Sequence, residues 1–336
     1  MNLILANHSS YPRIGEAAEF HLLRQTIAQW ERGEKSFADV QRAQNEAVRR
    51  AITDQVTAGL DIVTDGLIRW YDPLSHIAGK LDGTKINGLL RFFDTNFYVR
   101  QPVVIGPLRW TGPILTEEYT FARSVSPRPV KAVITGPYTL AAFTIVQSES
   151  YRQRDRLVEA YATALAEEVR KLVTAGASLI QIEEPSILKE DGPWDVFAQG
   201  IRVVASAAEP AHVLLCTYFG DVLPLYHKLL ELPVAAVGFD FTYSPRLLEV
   251  IAAEGSPKPL ALGLIDGRNT KLEDETTVCL LLEKVLPAIR ADYSYLTFSC
   301  GLEYLPRDRA LLKLDRLVTI GRRFGHVTRK TETPGN

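Results

Sequence analysis

Several side chains able to titrate, ligate or hydrogen-bond stand where apolar, β-branched runs end. His8 and Ser10 follow LILAN (3–7), and Asp65 closes DIVTD (61–65). Thr135 and Gly136 follow KAVIT (131–135), and Glu183 and Glu184 close LIQIEE (179–184). Cys216 lies in VLLCTY (213–218), Asp240 closes VAAVGFD (234–240), Asp266 closes LALGLID (260–266), and Cys300 closes YLTFSC (295–300). Polar residues also open loops and cap helices, so each alone reads equally well as structural. A ring of them at the ends of successive runs is the better pointer to a site. Asp65 and Asp240 are its candidate catalytic carboxylates. Cys216 and Cys300 with a carboxylate could hold Zn2+ and leave a fourth position open. Such an ion would lower the pKa of a substrate thiol. Both cysteines also read as buried small hydrophobes, the usual lot of a free thiol. Cys279, between Val278 and Leu280, reads as core. Glu183 and Glu184 precede Pro185, which keeps the end of the run extended. Alternation then turns one carboxylate into the mouth and the other away. An inward Glu suits the ammonium of an amino acid, or else a salt bridge to a nearby Arg or Lys.

Continuous apolar runs of this length suit strands buried on both faces, the mark of a parallel sheet. Helical patterns lie between them. One spans 36–59, with Ser36 as N-cap and Gly59 as its stop; others span 154–176, ending at Gly176, and 274–291. Eight runs alternating with helices predict an α/β (β/α)8 barrel, the TIM-barrel architecture. A doubly wound sheet is the alternative, but no GxGxxG follows any run. Residues 76–113, with Gly83, Gly88 and interleaved aromatics, interrupt the alternation between strands two and three. They predict a hairpin-bearing insertion that forms a wall or lid over the mouth. The expected organisation is one barrel over 1–325 and a polar tail over 326–336.

The 336 residues carry 38 Lys+Arg against 40 Asp+Glu, a net charge of −2, which gives no global electrostatic case for nucleic acid or an anionic membrane. Three cysteines without a CxxC pair exclude a disulfide framework and a zinc ribbon. The N-terminus has no basic segment ahead of a long apolar run, so it does not read as a signal peptide or a span. A cytoplasmic protein is the expectation.

The segments YPRIGE (11–16), DGLIRWYD (65–72), RFFDTNFY (91–98) and ITGPYTLA (134–141) resemble cobalamin-independent methionine synthase. So do QIEEPSI (181–187), LLCTYFGDV (214–222), GLIDGRN (263–269) and SCGLEYLPRD (299–308). That synthase has two related barrels: a C-terminal one for zinc and homocysteine, and a diverged N-terminal copy that helps hold folate. This chain has the length of one, and its wording is closer to the N-terminal copy. The resemblance implies Cys216 and Cys300 as metal ligands, Asp240 in place of a glutamate, and Leu214 where a histidine is expected. His212, two residues earlier on the same strand face, is the substitute candidate. It implies Ser10 and Glu183 as substrate contacts, whereas Leu67 replaces the glutamate of an Asp-Gly-Glu motif. Arg13, near the first strand end, is a third substrate-binding candidate. AEFHLLR (18–24) stands where the family meets the folate's glutamate tail, which implies His21 and Arg24. The activity that the resemblance implies is methyl transfer from methyl-tetrahydrofolate or a methyl-corrinoid to the thiol of homocysteine, with Zn2+ as the implied cofactor. The alternative is a non-catalytic folate- or substrate-binding subunit acting with a separate zinc-bearing barrel. A partner barrel or a corrinoid protein is the partner implied.

Overall fold

Ser36 begins the first long helix as the pattern predicts. Its hydroxyl accepts from the Asp39 amide at 3.3 Å while the Asp39 carboxylate accepts from the Ser36 amide at 2.9 Å. This reciprocal capping satisfies two otherwise orphaned donors. The helix runs Phe37–Ala58 and stops at Gly59, whose φ of 104° a side chain would resist. Its buried stripe, which includes Val48, Ala51 and Ile52, faces the strands. The other two long helical patterns form Arg154–Thr174 and Glu275–Val285, the latter capped by the Asp274 side chain. The computed structural model describes residues 1–189 and 192–323, so the tail expected over 326–336 lies outside the described residues.

The strands in chain order are β1 (Asn2–Leu5), β2 (Asp82–Arg91), β3 (Tyr98–Arg109), β4 (Ala132–Thr135) and β5 (Ile145–Val146). They continue with β6 (Leu179–Glu183), β7 (His212–Thr217), β8 (Ala236–Asp240), β9 (Leu260–Ile265) and β10 (Tyr293–Phe298). Seven of them pair in parallel in the order β1-β10-β9-β8-β7-β6-β4. The eighth predicted run, 61–65, closes the ring between β1 and β4 through isolated bridges, Ala6 to Ile62 and Val63 to Val130. It is no regular strand because a side chain substitutes for part of its ladder. Gln55, reaching from the preceding helix, accepts from the Thr64 amide at 2.9 Å and donates to the Thr64 carbonyl at 3.0 Å. The fold is the (β/α)8 barrel.

β2 and β3 pair antiparallel and, with β5, form a separate three-stranded sheet between the second and third barrel positions, where the insertion was expected. Its tip, residues 92–97, bends over the C-terminal mouth. The Asp94 carboxylate accepts from Tyr243 Oη at 2.7 Å and pairs with Arg268 at 3.2 Å, both from loops that follow barrel strands. Apolar packing is divided in two. A small cluster that includes Ala6, Leu179, Leu214, Cys216, Ala236, Ala261 and Tyr295 fills the lumen, and the larger core lies between strands and helices. Among the described residues, no helix is long and apolar enough to cross a membrane.

Candidate active site

The turn after β1 brings Ser9, Ser10 and Arg13 over the C-terminal end of the barrel. There they meet Glu183 from β6, Tyr218 from the end of β7, and Glu303 and Tyr304 from the loop after β10. With Trp70 and the hairpin-tip residues Phe92 and Phe97, these line one pocket at the mouth. C-terminal mouths of such barrels are where their chemistry is built.

Glu183 is the anchored carboxylate. It accepts from Tyr218 Oη at 2.9 Å and from Gln181 Nε2 at 3.0 Å, and lies 3.3 Å from His8 Nδ1. Burial works to raise its pKa. Hydrogen bonding and charge from His8, with Ser9 and Tyr218, outweigh burial and hold it below the ordinary carboxylate range. Beneath it, the buried Lys131 donates to Gln181 Oε1 at 2.5 Å and to the Asn7 carbonyl at 2.9 Å. A line of donors thus fixes Gln181, and Gln181 fixes Glu183. Glu303 behaves oppositely. Burial, with the negative charge of Glu183, pushes it up to about 7 against the lowering influence of Arg13 and Tyr304. Two carboxylates in one pocket with separated pKa values are the pattern of sites that bind or move charge near neutrality.

Alternation resolves the Glu183–Glu184 pair as expected, one inward and one outward. Glu184 accepts from the Tyr138 and Thr139 amides at 2.9 and 2.8 Å and from Thr139 Oγ1 at 2.6 Å, capping the helix Pro137–Phe143. Gly136 has no side chain because one would meet Glu184 Oε1 at 2.2 Å.

Ser10, Arg13 and Glu183 therefore converge, but the other candidates separate. Asp65 faces a different cavity with Glu118 and Leu115, outside the mouth. Its Oδ1 accepts from the Leu67 amide at 2.9 Å, so it shapes its own turn. Burial raises its pKa to about 6. Asp240 is spent on the loop after β8, accepting from the Thr242 amide and hydroxyl at 2.8 and 2.6 Å. His21 lines a wider groove that adjoins the cavity and shares Arg13, Phe97 and Glu303 with it, whereas Arg24 is exposed on the helix Leu22–Glu31 and lines neither.

The proposed metal ligands are not assembled. His212 is exposed at the N-terminal end of β7, four residues or about 13 Å along the strand from Cys216. Cys216 points into the lumen cluster beside Leu214, with its Sγ against Gly238. Burial pushes its thiol up to about 12, although Lys131 pulls the other way. Cys300 is buried just past the end of β10, its Sγ 3.5 Å from the Gly301 carbonyl, and burial together with the charge of Asp240 raises its pKa well above the usual value. Among the described residues no three His, Cys, Asp or Glu side chains gather to hold an ion. The chain's cysteines do not fit a zinc centre of the expected kind.

Glu303, Tyr218, Tyr304 and Lys131 escape a reading confined to the residue that closes each run. The only signal for Glu303 in the sequence is an acidic residue inside an otherwise apolar Gly-Leu-Glu-Tyr-Leu loop.

Residues 9–323 match the family model described as the catalytic domain of the cobalamin-independent synthase. Methionine synthase of Saccharolobus solfataricus is 33% identical over 305 residues, spanning 88% of this chain and 89% of that one. A B12-independent methionine synthase from Shewanella sp., solved in complex with selenomethionine, superposes with a TM-score of 0.77 at 21% identity and covers 97% and 98% of the two chains. A putative vitamin-B12-independent methionine synthase from Listeria monocytogenes superposes with a TM-score of 0.73 at 15% identity, covering 96% and 99%. Fold and sequence together define a barrel enzyme of the S-methyltransferase class. The chain belongs to the cobalamin-independent methionine synthase family. Where the motif wording suggested the N-terminal copy, the matched model is that of the catalytic domain.

Proposed function

We propose that the enzyme transfers a methyl group to the thiol of homocysteine. The observation that carries this reading is the convergence of Ser10, Arg13 and Glu183 in one closed pocket of a chain from this family. Glu183, held anionic, takes the ammonium of the amino acid. Arg13, which makes no ion pair within 4 Å among the described residues, takes its carboxylate. Trp70, Phe92, Phe97 and Tyr304 exclude water around the sulfur-bearing chain. The methyl donor, a methyl-tetrahydrofolate or a methyl-corrinoid, enters by the adjoining groove, past His21 and Ile14. No step is assigned to zinc.

The test is direct. Purified enzyme is incubated with homocysteine and methyl-labelled methyl-tetrahydrofolate or methylcobalamin, and labelled methionine is measured. Turnover with one donor, cut roughly 10- to 100-fold by Glu183→Gln, is expected for loss of a charge-assisted contact. No methionine from either donor would count against the reading. The separated cysteines favour one alternative, a binding barrel that serves a zinc-bearing partner. Turnover that appears only when a separate synthase barrel is added would establish it.

A further inference from the structure

A second carboxylate stands in the pocket with one oxygen unpartnered among the described residues. We propose that Glu303 joins Glu183 as an ammonium clasp, so that the α-amino group of the substrate is held from both sides of the mouth. The inference rests on the amino-acid reading of the pocket and deepens it.

The loop after β10 is built to deliver this side chain. The Leu302 amide donates to the Ser10 carbonyl at 3.1 Å, and the Glu303 amide reaches Ser10 Oγ at 3.4 Å, tying the loop to the turn after β1. Gly301 lets these side chains close over its Cα, where there is no room for a Cβ. A side chain there would meet Ser10 Oγ at 2.0 Å, Glu303 Oε2 at 2.3 Å and Ser9 Oγ at 3.1 Å. Three oxygens thus crowd over Gly301 at the wall of the cavity. Glu303 Oε2 is buried without a hydrogen-bond partner. An orphaned buried carboxylate oxygen costs free energy unless a donor arrives, and it has a like-charged neighbour in Glu183. A primary ammonium answers both needs, because it carries positive charge and three N–H donors.

The charged and titratable groups around Glu303 agree. Glu183 and Tyr218 face it from β6 and the end of β7, and Tyr304 adjoins it. Arg13 faces it from the turn after β1, with Asp72 behind. His8 stands behind Glu183. Among the described residues Arg13 is the one cation at the cavity wall, and its guanidinium remains for the carboxylate end of the ligand. Leu67, where the family resemblance expects a glutamate, lines the same cavity. Glu303 restores from the loop after β10 the carboxylate missing at that position.

The experiment compares the binding of L-methionine and L-norleucine with that of their deaminated counterparts, 4-(methylthio)butanoate and hexanoate. Calorimetry is run on the wild type, Glu303→Gln and Glu303→Ala. The wild type should prefer each amino acid over its counterpart by 100-fold or more. Glu303→Gln should cut that preference roughly tenfold with an unchanged melting temperature, the usual scale for one charge-assisted hydrogen bond. Wild-type affinity should also rise with pH through neutrality as Glu303 ionises, and Glu303→Gln should be flat there. Equal preferences in wild type and Glu303→Gln, or no binding of either amino acid, would overturn the clasp. Amino-acid binding that depends on Glu303 without methionine formation would sink the methyl-transfer reading alone.

Discussion

Lys131 shows what a single buried charge costs and what it organises. Burial lowers its pKa from the ordinary 10.5 to about 8, the equivalent of about 3 kcal/mol. Below pH 8 both folded and unfolded chains carry the proton, and the penalty is constant. Between pH 8 and 10.5 the folded amine is neutral while the unfolded one still binds its proton, so stability contributed by this group rises with pH. Urea midpoints at pH 7.5 and 10 should therefore reveal a relief in the wild type, worth up to about 3 kcal/mol, that Lys131→Met lacks. Identical pH trends in the two proteins would show that the lysine is not buried in its charged form. The same scale explains what the sequence conveyed of the site. Ser10, Arg13 and Glu183 were legible because a strand end and a side-chain alternation locate them. Asp65 and Asp240 have equivalent positions along their runs, but their carboxylates are turned onto nearby amides. Position along a run is written in the sequence, whereas the competition between a mouth and a local amide is decided by the folded loop.

The insertion hairpin is an element with a function in closure. Phe92 and Phe97 wall the cavity only while the tip between them stays down, and Asp94 is the point that holds it. Arg268 adds to that grip by stacking over Phe219 and Tyr243, at 5.0 and 5.2 Å from their ring centroids. Asp94 and Arg268 are partly exposed, so their pairing alone is worth little, about 0–1 kcal/mol. The Tyr243 hydroxyl contributes a further hydrogen bond. Asp94→Ala should raise the KM for homocysteine twofold to tenfold and speed amide exchange over residues 92–97, with the melting temperature unchanged. Unchanged exchange at the tip would mean that aromatic packing alone keeps it closed. The hairpin was visible in the sequence as glycines and alternating aromatics, and the helix 36–59 as a cap and a stop. The run 61–65 was placed correctly but not as bridges. Gln55, six residues upstream in a helix, supplies its hydrogen bonds, a tertiary contact that no local pattern records.

At the scale of the whole molecule, the question is what the barrel does without a metal centre of the expected kind. The lumen is closed below the mouth by Ala6, Leu214, Cys216, Ala236 and Tyr295, a packed layer in which Leu214 and Cys216 are neighbours on one face of β7. Cys216 is thus a core residue whose thiol is driven toward the neutral form, whereas a zinc ligand must be a thiolate. Cys300 is buried just past the end of β10, within reach of the charges of Asp240 and Glu303. Bringing the two sulfurs onto one tetrahedral ion would require the lumen packing around Cys216 to give, and the binding energy of a two-cysteine site must then offset lost apolar burial. The purified protein should accordingly contain zinc well below one atom per chain, and dialysis against a chelator should leave its melting temperature in place. Cys300→Ser should lower stability by about 1–2 kcal/mol through lost packing, with no change in metal content. One zinc per chain, lost in Cys300→Ser and restored with cysteine, would instead mean that the lumen packing rearranges around the ion. In that case the pocket formed by Glu183 and Glu303 describes only the resting barrel.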